Sequence, residues 1–491
     1  MSTKGTDVNP DGGWGWFVVL ATFICTGLSA GNFYSFGVLF AAFLDAFDGT
    51  KSETAWIGSI FSLMFVIATA ISNALVRRIG HRPTVMLAGA LGTTGLLLSS
   101  FATSLHQLYF TYGGIAGFGL GMSYMPCVDM TGKYFKRRLS LALGLGMSGT
   151  GAGQFLLALV NQLLVDYYGW RGMLLILAAV SFHMCLAGAL LRPLKQYKSL
   201  QMQESQSLQQ DCDSGTAVPF NKTIETASDK VTKSENQTID ERTDGCSARE
   251  RTCKCCPQRC KRVTEFFSSM YDRALLTHPV YWMHIVVAIG QPIGHITVTT
   301  HVVRRLRDFG ITDTRSSMIA ALMGLAQLVG RPLYGTIANT GRVKPNVLYG
   351  IAMATCGAVT IVSIYVKTMA GQIVYILLFG MCVGGYVVLI PIVVTYYHGK
   401  DMIGIGTSGL LQIHGIVGLI IAPLAGYLRD KYGEYDQAFW VVVAAYTITS
   451  VAAFLLPIVD RLVKNHRKKA DSNVRTAYDV KESGVFDEST V

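Results

Sequence analysis

Long apolar segments constrain this chain more than any other feature. Its 491 residues contain twelve apolar runs of roughly 20 residues, the length that crosses about 30 Å of hydrocarbon as a helix. Only 15% of the residues are charged, which is too little polar surface to cover a soluble globule of this size. We therefore predict an all-α integral membrane protein. The predicted spans are 17–43, 55–76, 84–101, 108–130, 139–164, 173–191, 280–303, 317–337, 347–366, 371–395, 403–428 and 439–459.

A polar break between the sixth and seventh spans divides the chain. The predicted regions are an N-terminal segment (1–16), a six-helix bundle (17–191), a linker (192–279), a second six-helix bundle (280–459) and a tail (460–491). The linker is rich in Ser, Thr, Gln and charged residues, so it buries too little apolar surface to fold and is predicted to be disordered. Near its end, VTEFFSSMYDRALL has the spacing of an amphipathic helix that lies along a membrane surface.

Basic residues concentrate in loops on one side of this topology. RRIGHR (77–82), KYFKRR (133–138) and RLVKNHRKK (461–469) share that side, and the positive-inside rule predicts that it is cytoplasmic, with both termini. The segment RRLRDFGITDTR (304–315) disagrees, because it places four arginines outside; we interpret them as attractors of anions. The net charge of +11 suits an anionic lipid leaflet, so the bilayer rather than nucleic acid is the expected partner.

The two halves of the chain repeat each other. LLVDYYGW corresponds to YLRDKYGE with Gly169 matching Gly433, a shift of 264 residues, and RRIGHRP in the first half corresponds to NTGRVKP in the second. A parallel repeat of six helices predicts two bundles that meet at a central cavity, as in the major facilitator fold. The helices that hold LGLGMSGTGAG and GIGTSGLLQIHGIVG have glycines three or four residues apart, which allows close packing or rocking of helices.

Three segments resemble the monocarboxylate transporter family of the major facilitator superfamily: DGGWGW (11–16), YFKRRLSLALGLGMSGTGAG and PLAGYLRDKYGEYDQAFW. The resemblance covers about 390 residues. Trp14 and Trp16 suit the membrane interface, and Asp11 is predicted to lie at the positive end of the first helix. The residues expected to have structural or gating roles are Asp11, Trp14, Trp16, Arg78, Arg82, Lys133, Arg137 and Arg138.

The resemblance implies transport of a small carboxylate across the plasma membrane by alternating access. Arg331 matches the arginine that the family uses to bind the substrate carboxylate, and its planar fork suits that bond. A charge in a span costs at least about 2.5 kcal/mol, so it is expected to face a cavity; the alternative is an arginine bonded to a backbone carbonyl. Pro332 is predicted to loosen the helix beside it.

Two departures from the family pattern concern protons. Gln327 stands where proton-coupled members have a carboxylate, and Val38 stands where they have a lysine. The sequence therefore predicts proton-independent transport of a larger or zwitterionic carboxylate, such as creatine, carnitine or an aromatic amino acid. A proton-linked lactate or pyruvate symporter is the alternative, and a non-transporting receptor or scaffold is the alternative from another class. No catalytic arrangement, cofactor or metal site is predicted.

Polar residues in the spans complete the predicted site. Histidine is the side chain that ordinarily changes charge near physiological pH, and the spans contain His284, His295, His301 and His414. Of these, His295 is favoured because Gln291 lies one turn away and Pro292 interrupts the helix. Each polar residue is also suited to hydrogen bonding between helices. The predicted substrate-binding residues are Arg331, Gln327, Tyr34, Asn32, Gln291, His295, Gln154 and Asn161.

Two signals lie outside the bundles. The linker cysteines between Cys246 and Cys260 fit uncommitted thiols, acylation or a metal site, in that order. The C-terminal residues from Ser489 to Val491 fit capture by a PDZ domain. The family resemblance adds a single-span chaperone as an expected partner.

Overall fold

The computed structural model describes residues 11–47, 51–192, 275 and 277–482, all within one unit formed by Asn9–Arg192 and Phe267–Val491. The described residues are helical and contain no strand, which confirms the all-α prediction. The linker from Pro193, its cysteine cluster and the segment from Ser489 to Val491 lie outside the described residues.

The described part of the first half contains nine α-helices. They are α1 Gly15–Tyr34, α2 Phe36–Ala46, α3 Lys51–Ile79, α4 His81–Ser100, α5 Leu105–Leu108 with a π-helical continuation Tyr109–Ala116, α6 Gly117–Tyr134, α7 Leu139–Met147, α8 Gly149–Ser181 and α9 His183–Leu190. The second half contains α10 Pro279–Asp308, α11 Asp313–Asn339, α12 Pro345–Tyr365, α13 Met369–His398, α14 Ile403–Tyr432 and α15 Asp436–Glu482. Helix α15 thus continues from the last predicted span into the tail.

Nine helical runs in the described part of the chain are long and apolar enough to cross a membrane. One of them, Leu139–Leu190, holds two predicted spans, because the backbone turns at Gly169 with φ 66°. The two remaining predicted spans correspond to α5–α6 and to α11, which are rich in glycine and polar residues. Nearly all of α6 is buried by its neighbours, so its polar side chains do not face lipid.

Glycines with positive φ occupy matching turns in the two halves. Gly80 (φ 90°) and Gly341 (φ 69°) follow the second predicted span of each half, and Gly169 (φ 66°) and Gly433 (φ 81°) precede the last predicted span. Side chains other than hydrogen are strained in this conformation. The internal repeat seen in the sequence is therefore also a repeat of backbone geometry.

The structure corrects the expectation for Arg305, one of the four arginines of 304–315. Helix α10 continues to Asp308, and Arg305 is only 1% exposed. Its guanidinium donates to the Ser363 carbonyl at 2.9 Å, approaches Asp436 at 3.5 Å and lies 3.9 Å from the Phe439 ring centroid. Arg305 therefore joins α10, α12 and α15 and does not attract anions, because both of its terminal nitrogens are bonded within the protein.

A second correction concerns Pro332. Helix α11 is continuous from Asp313 to Asn339, so the proline does not open it. The Thr336 hydroxyl donates to the Pro332 carbonyl at 2.7 Å. Close packing also supports the helix: a Cβ added at Gly335 would lie 2.5 Å from the Ser140 carbonyl oxygen of α7. Neighbouring helices thus hold α11 in helical geometry despite the lost N–H.

Candidate functional site

A cavity of about 100 Å³ lies between the two halves and is lined by both of them. Its wall in the first half carries four aromatic residues together with Ser62, Thr69 and Thr150, and its wall in the second half carries the charged group and the amide and imidazole groups. The aromatic residues are Phe33, Tyr34, Phe65 and Tyr124, and the polar residues of the second half are Gln291, His295, Arg331 and His414. None of the described residues that line the cavity is acidic. The cavity therefore presents one permanent positive charge and favours an anion.

Arg331 lies at the junction of the halves. It is 1% exposed, and its guanidinium donates to the Met147 carbonyl of the first half and, at 3.1 Å, to Gln327 Oε1 one turn away. The Gln327 amide in turn donates to Gln154 Oε1 at 2.8 Å, again across the junction. Arg331 therefore lines the cavity as predicted and also has the backbone-carbonyl partner that the sequence left as an alternative.

Helix α13 fixes the position of the arginine side chain. A Cβ added at Gly384 would lie 2.9 Å from the Gln327 carbonyl oxygen and 3.3 Å from Arg331 Cγ. The glycine therefore allows α13 to approach α11 closely at this turn.

The wall of the cavity in the second half contains buried polar groups that lack protein partners. Gln291 Nε2 and both ring nitrogens of His295 have no hydrogen-bond partner among the described residues, and neither does His414 Nδ1. Gln291 Oε1 is satisfied, because it accepts from the Tyr349 hydroxyl at 3.2 Å. Leaving a buried polar group unpaired costs about 1–3 kcal/mol, so these groups are suited to a bound molecule.

Not all predicted site residues line the cavity. Gln154 and Gln327 lie beside it as the bridge between halves, whereas Asn32 donates to the Leu28 carbonyl at 2.6 Å within α1. Asn161 donates to Ser35 Oγ at 3.0 Å and so joins α8 to the turn between α1 and α2. The structure thus brings Tyr34, Gln291, His295 and Arg331 together at one cavity.

Two of the candidate histidines lie elsewhere. His284 lines a separate cavity of about 20 Å³ that shares Gln291 and His414 with the central one. His301 stacks near Tyr435, with ring centroids 5.3 Å apart. Sequence reasoning did not identify Phe33, Phe65 or Tyr124, since apolar residues in apolar spans carry no distinguishing signal.

The signature DGGWGW forms the end of the bundle that carries 77–82 and 133–138, here called the basic end. Asp11 accepts from the backbone N–H groups of Lys136 at 2.7 Å, Arg137 at 2.9 Å and Arg138 at 3.3 Å. Its carboxylate therefore binds the backbone that leads into α7, which begins at Leu139, and not the start of α1, which was the predicted partner. A carboxylate suits this position because it accepts hydrogen bonds from several backbone N–H groups at once.

The ionisation of Asp11 reflects its hydrogen bonds to the backbone of 136–138. Burial of the carboxyl opposes its charge, but the backbone N–H groups of Arg137, Lys136 and Arg138 outweigh burial and lower the pKa of Asp11 below its ordinary value. Trp14 contributes to the same end, because its Nε1 donates to the Leu190 carbonyl at 2.9 Å. The signature thus joins the starts of α1 and α7 to the end of α9.

The charged loops at the basic end have different surroundings. Lys133 pairs with Asp129 at 2.9 Å, and His81 contacts the same carboxylate at 2.7 Å. The other predicted motif residues, Trp16, Arg78, Arg82, Arg137 and Arg138, are at least partly exposed. Trp16 packs edge-on against Phe135 at 5.2 Å between centroids.

Hydrogen bonds also join the halves at the basic end. Asn73 of α3 donates to the Gly404 carbonyl at 3.1 Å and to Ser408 Oγ at 2.6 Å in α14. Lys400 donates to the Phe135 carbonyl at 3.1 Å. These hydrogen bonds therefore hold the two halves together on the side of the cavity that faces the basic end.

Replacing Asp11 with alanine is expected to lower the stability of the protein by about 1 kcal/mol, because three backbone N–H groups lose their charged acceptor. The measurement is the melting temperature of the purified protein, with Asp11→Asn as the control that keeps one acceptor. Because the pKa of Asp11 is lowered, its stabilisation is present above the ordinary aspartate pKa of about 3.9 and is lost as the pH falls through the lowered value. Equal melting temperatures of Asp11→Ala and the wild type at neutral pH would contradict this role.

Two halves of six predicted spans each, around a cavity that both of them line, define a multi-pass membrane carrier of the major facilitator type. A family model described as Major Facilitator Superfamily matches residues 22–410. Monocarboxylate transporter 12 of Mus musculus is 30% identical over 458 residues, which cover 92% of this chain and 87% of that protein. This chain therefore belongs to the monocarboxylate transporter family of the major facilitator superfamily, and it is a transporter and not an enzyme.

Other comparisons agree. Monocarboxylate transporter 12 of Homo sapiens is 30% identical over 94% of this chain and 83% of that protein, and monocarboxylate transporter 13 of Rattus norvegicus is 30% identical over 91% and 90%. The proton:xylose symporter XylE bound to 6-bromo-6-deoxy-D-glucose matches with a TM-score of 0.62 at 11% identity, over 91% of this chain and 96% of that one. FucP in the outward conformation matches with a TM-score of 0.57 at 13% identity, over 90% and 98%. These two structures support the fold alone.

Proposed function

We propose that this protein carries a small monocarboxylate across the plasma membrane, with both termini in the cytoplasm, and that Arg331 binds the carboxylate. One observation carries the proposal: a permanent positive charge lines a central cavity in which no acidic side chain opposes it. The Nε of Arg331 has no partner in the described part of the chain, which leaves donor capacity for a solute. A guanidinium binds a carboxylate through two parallel hydrogen bonds.

In this proposal, relative movement of the two halves exposes the cavity to each side of the membrane in turn. Asn73 and Lys400 join the halves at the basic end, which the positive-inside rule assigns to the cytoplasm. Release of the solute on that side requires these hydrogen bonds to break. Solute binding must therefore favour the other arrangement of the halves by its own contacts, because a ligand shifts an equilibrium only through differential affinity.

We also propose that transport does not require a proton. Gln327 bonds Arg331 at 3.1 Å, in the place where a carboxylate would bind and release a proton, and an amide does not titrate. Val38 likewise carries no charge. The bond between Gln327 and Arg331 leaves the positive charge of the guanidinium uncompensated at every physiological pH.

A matched variant tests proton independence. In Gln327→Asp the new carboxylate is expected to pair with Arg331 and to exclude the solute until it is protonated. Counterflow in proteoliposomes should then rise several-fold as the pH falls from 8 to 6, whereas the wild-type rate should change by less than about twofold. The panel should contain lactate, creatine, carnitine and an aromatic amino acid.

Two outcomes would overturn the proposals. Internal acidification in step with wild-type uptake would identify a proton-linked symporter. An absence of counterflow for every carboxylate, with correctly folded protein, would favour a receptor or scaffold over a transporter.

A further inference from the structure

The charged side chains that are buried in the described part of the chain differ in what neutralises them. Apart from histidines, they are Asp129, Arg305 and Arg331. Asp129 pairs with Lys133 at 2.9 Å, and Arg305 approaches Asp436 at 3.5 Å. Each of these two charges is therefore balanced within the protein by a residue of opposite sign.

The contacts of Arg331 are different, because they are neutral. Its guanidinium donates to the Met147 carbonyl and, at 3.1 Å, to Gln327 Oε1. None of the described residues that line its cavity is acidic. Carbonyl and amide oxygens accept hydrogen bonds from a cation but leave its net charge unchanged. A buried charge without an ionic partner is costly, so Arg331 favours a counter-ion from outside the protein.

The net charge in the central cavity changes when a solute binds there. A monocarboxylate anion neutralises Arg331, whereas the unloaded carrier keeps one positive charge in the cavity. When the halves move, the barrier passes from one side of the cavity to the other. A charge in the cavity then crosses the electric field of the membrane, and the membrane potential does work on it. Voltage therefore acts on the unloaded carrier and not on the carrier that holds an anion.

Resting on the proposed function, we propose that net transport of a monocarboxylate anion is electrogenic and moves one negative charge with each solute. The carrier moves inward loaded and neutral, and it returns unloaded with the positive charge of Arg331. An inside-positive potential favours that return and therefore drives uptake. Exchange of one anion for another omits the unloaded form, so it does not respond to voltage. A zwitterion leaves the charge of Arg331 in place, so its complete cycle moves no net charge.

Accumulation at a clamped potential measures the charge that moves with each solute. Proteoliposomes of the full-length protein are clamped with valinomycin and a potassium gradient, at equal buffered pH on both sides. The radiolabelled probes are two pairs that share a skeleton and differ by one in net charge, lactate with alanine and phenyllactate with phenylalanine. Each anion should accumulate tenfold for every ~59 mV of inside-positive potential, the factor for one elementary charge. The zwitterions should reach equal concentrations inside and outside.

Initial rates identify the step on which voltage acts. Uptake of an anion into proteoliposomes without internal solute should rise severalfold over two such steps of inside-positive potential, because the return of the unloaded carrier is accelerated. Exchange with saturating anion on both sides should change by less than about twofold over the same range. Protein-free liposomes give the leak of each probe, which is subtracted.

A matched pair of variants connects the voltage response to the charge of Arg331. In Gln327→Asp the new carboxylate neutralises the guanidinium of the unloaded carrier, and it must bind a proton before an anion enters. Accumulation by this variant should no longer follow voltage and should instead rise about tenfold for each unit of pH gradient. Gln107→Asp is the control, because Gln107 is exposed and the substitution adds the same charge outside the cavity. It should keep the voltage response of the wild type.

The outcomes separate this inference from the function on which it rests. Wild-type accumulation of an anion that ignores voltage would overturn the inference, because a proton or another ion would then accompany the solute. A voltage response that persists in folded, active Gln327→Asp would also overturn it, since Arg331 would not be the source. Transport of zwitterions without either anion would overturn it and leave the carrier function intact. Absence of flux for all four probes and for creatine and carnitine would overturn the proposed transport function itself.

Discussion

Arg331→Ala is expected to abolish carboxylate transport. Truncating one member of a buried charge pair costs about 2–5 kcal/mol, which corresponds to a loss of at least about 30-fold in affinity. The variant also loses the bonds to the Met147 carbonyl and to Gln327, so the junction of the halves is weakened at the same time. The measurement is counterflow in proteoliposomes, together with size-exclusion behaviour and melting temperature to establish folding.

Arg331→Lys is the matched control for this prediction. Lysine keeps the positive charge but lacks the planar fork, so it should retain a measurable but reduced rate. A result in which Arg331→Ala transports at the wild-type rate would remove the arginine from the binding site. Loss of transport that tracks loss of folded protein would instead assign Arg331 a structural role, and Arg331→Lys distinguishes the two because it preserves packing.

Gly151→Val is expected to reduce transport at least about tenfold without unfolding the protein. A Cβ at Gly151 of α8 would lie 2.5 Å from the Leu328 backbone nitrogen and 2.7 Å from the Gly324 carbonyl oxygen, both in α11. Real Cβ atoms do not approach backbone so closely, and overpacking of this kind costs about 1–3 kcal/mol. Because the contact joins the two halves, the cost falls on the arrangement of the halves and not on the core of either one.

Two other glycines provide the controls for Gly151→Val. A Cβ at Gly153 would lie 2.0 Å from the Gly27 carbonyl oxygen, inside the first half, so Gly153→Val should lower the melting temperature most. Gly37 has no atom within 4 Å of an added Cβ, so Gly37→Val should be close to the wild type in both measurements. If Gly151→Val and Gly153→Val lower stability equally, the contact at Gly151 does not act as a movable interface.

The fold was largely predictable because its determinants are local or periodic. The length of an apolar run fixes a span, and the repeat of glycine-centred turns at Gly169 and Gly433 fixes two equivalent halves. The turn of backbone within Leu139–Leu190 was also visible as the end of one apolar run and the start of another. Packing overrode local preference at Pro332, where the helices around α11 keep it continuous.

The site was predictable only where a residue type was anomalous in its surroundings. Arg331, Gln291 and His295 stand out as polar residues in apolar helices, and all three line the cavity. Asn32 and Asn161 are equally anomalous, yet they bond to neighbouring helix atoms, and only tertiary contacts separate the two cases. The true partner of Asp11 was hidden for the same reason, because 125 residues separate it from Lys136.

The bond from Arg331 to the Met147 carbonyl has a consequence for how an empty carrier behaves. A carboxylate that draws the guanidinium away from that carbonyl removes a hydrogen bond between the halves. The empty protein would keep this hydrogen bond between the halves, and binding of a solute would break it. Such a carrier would exchange solutes across the bilayer faster than its empty form could change conformation.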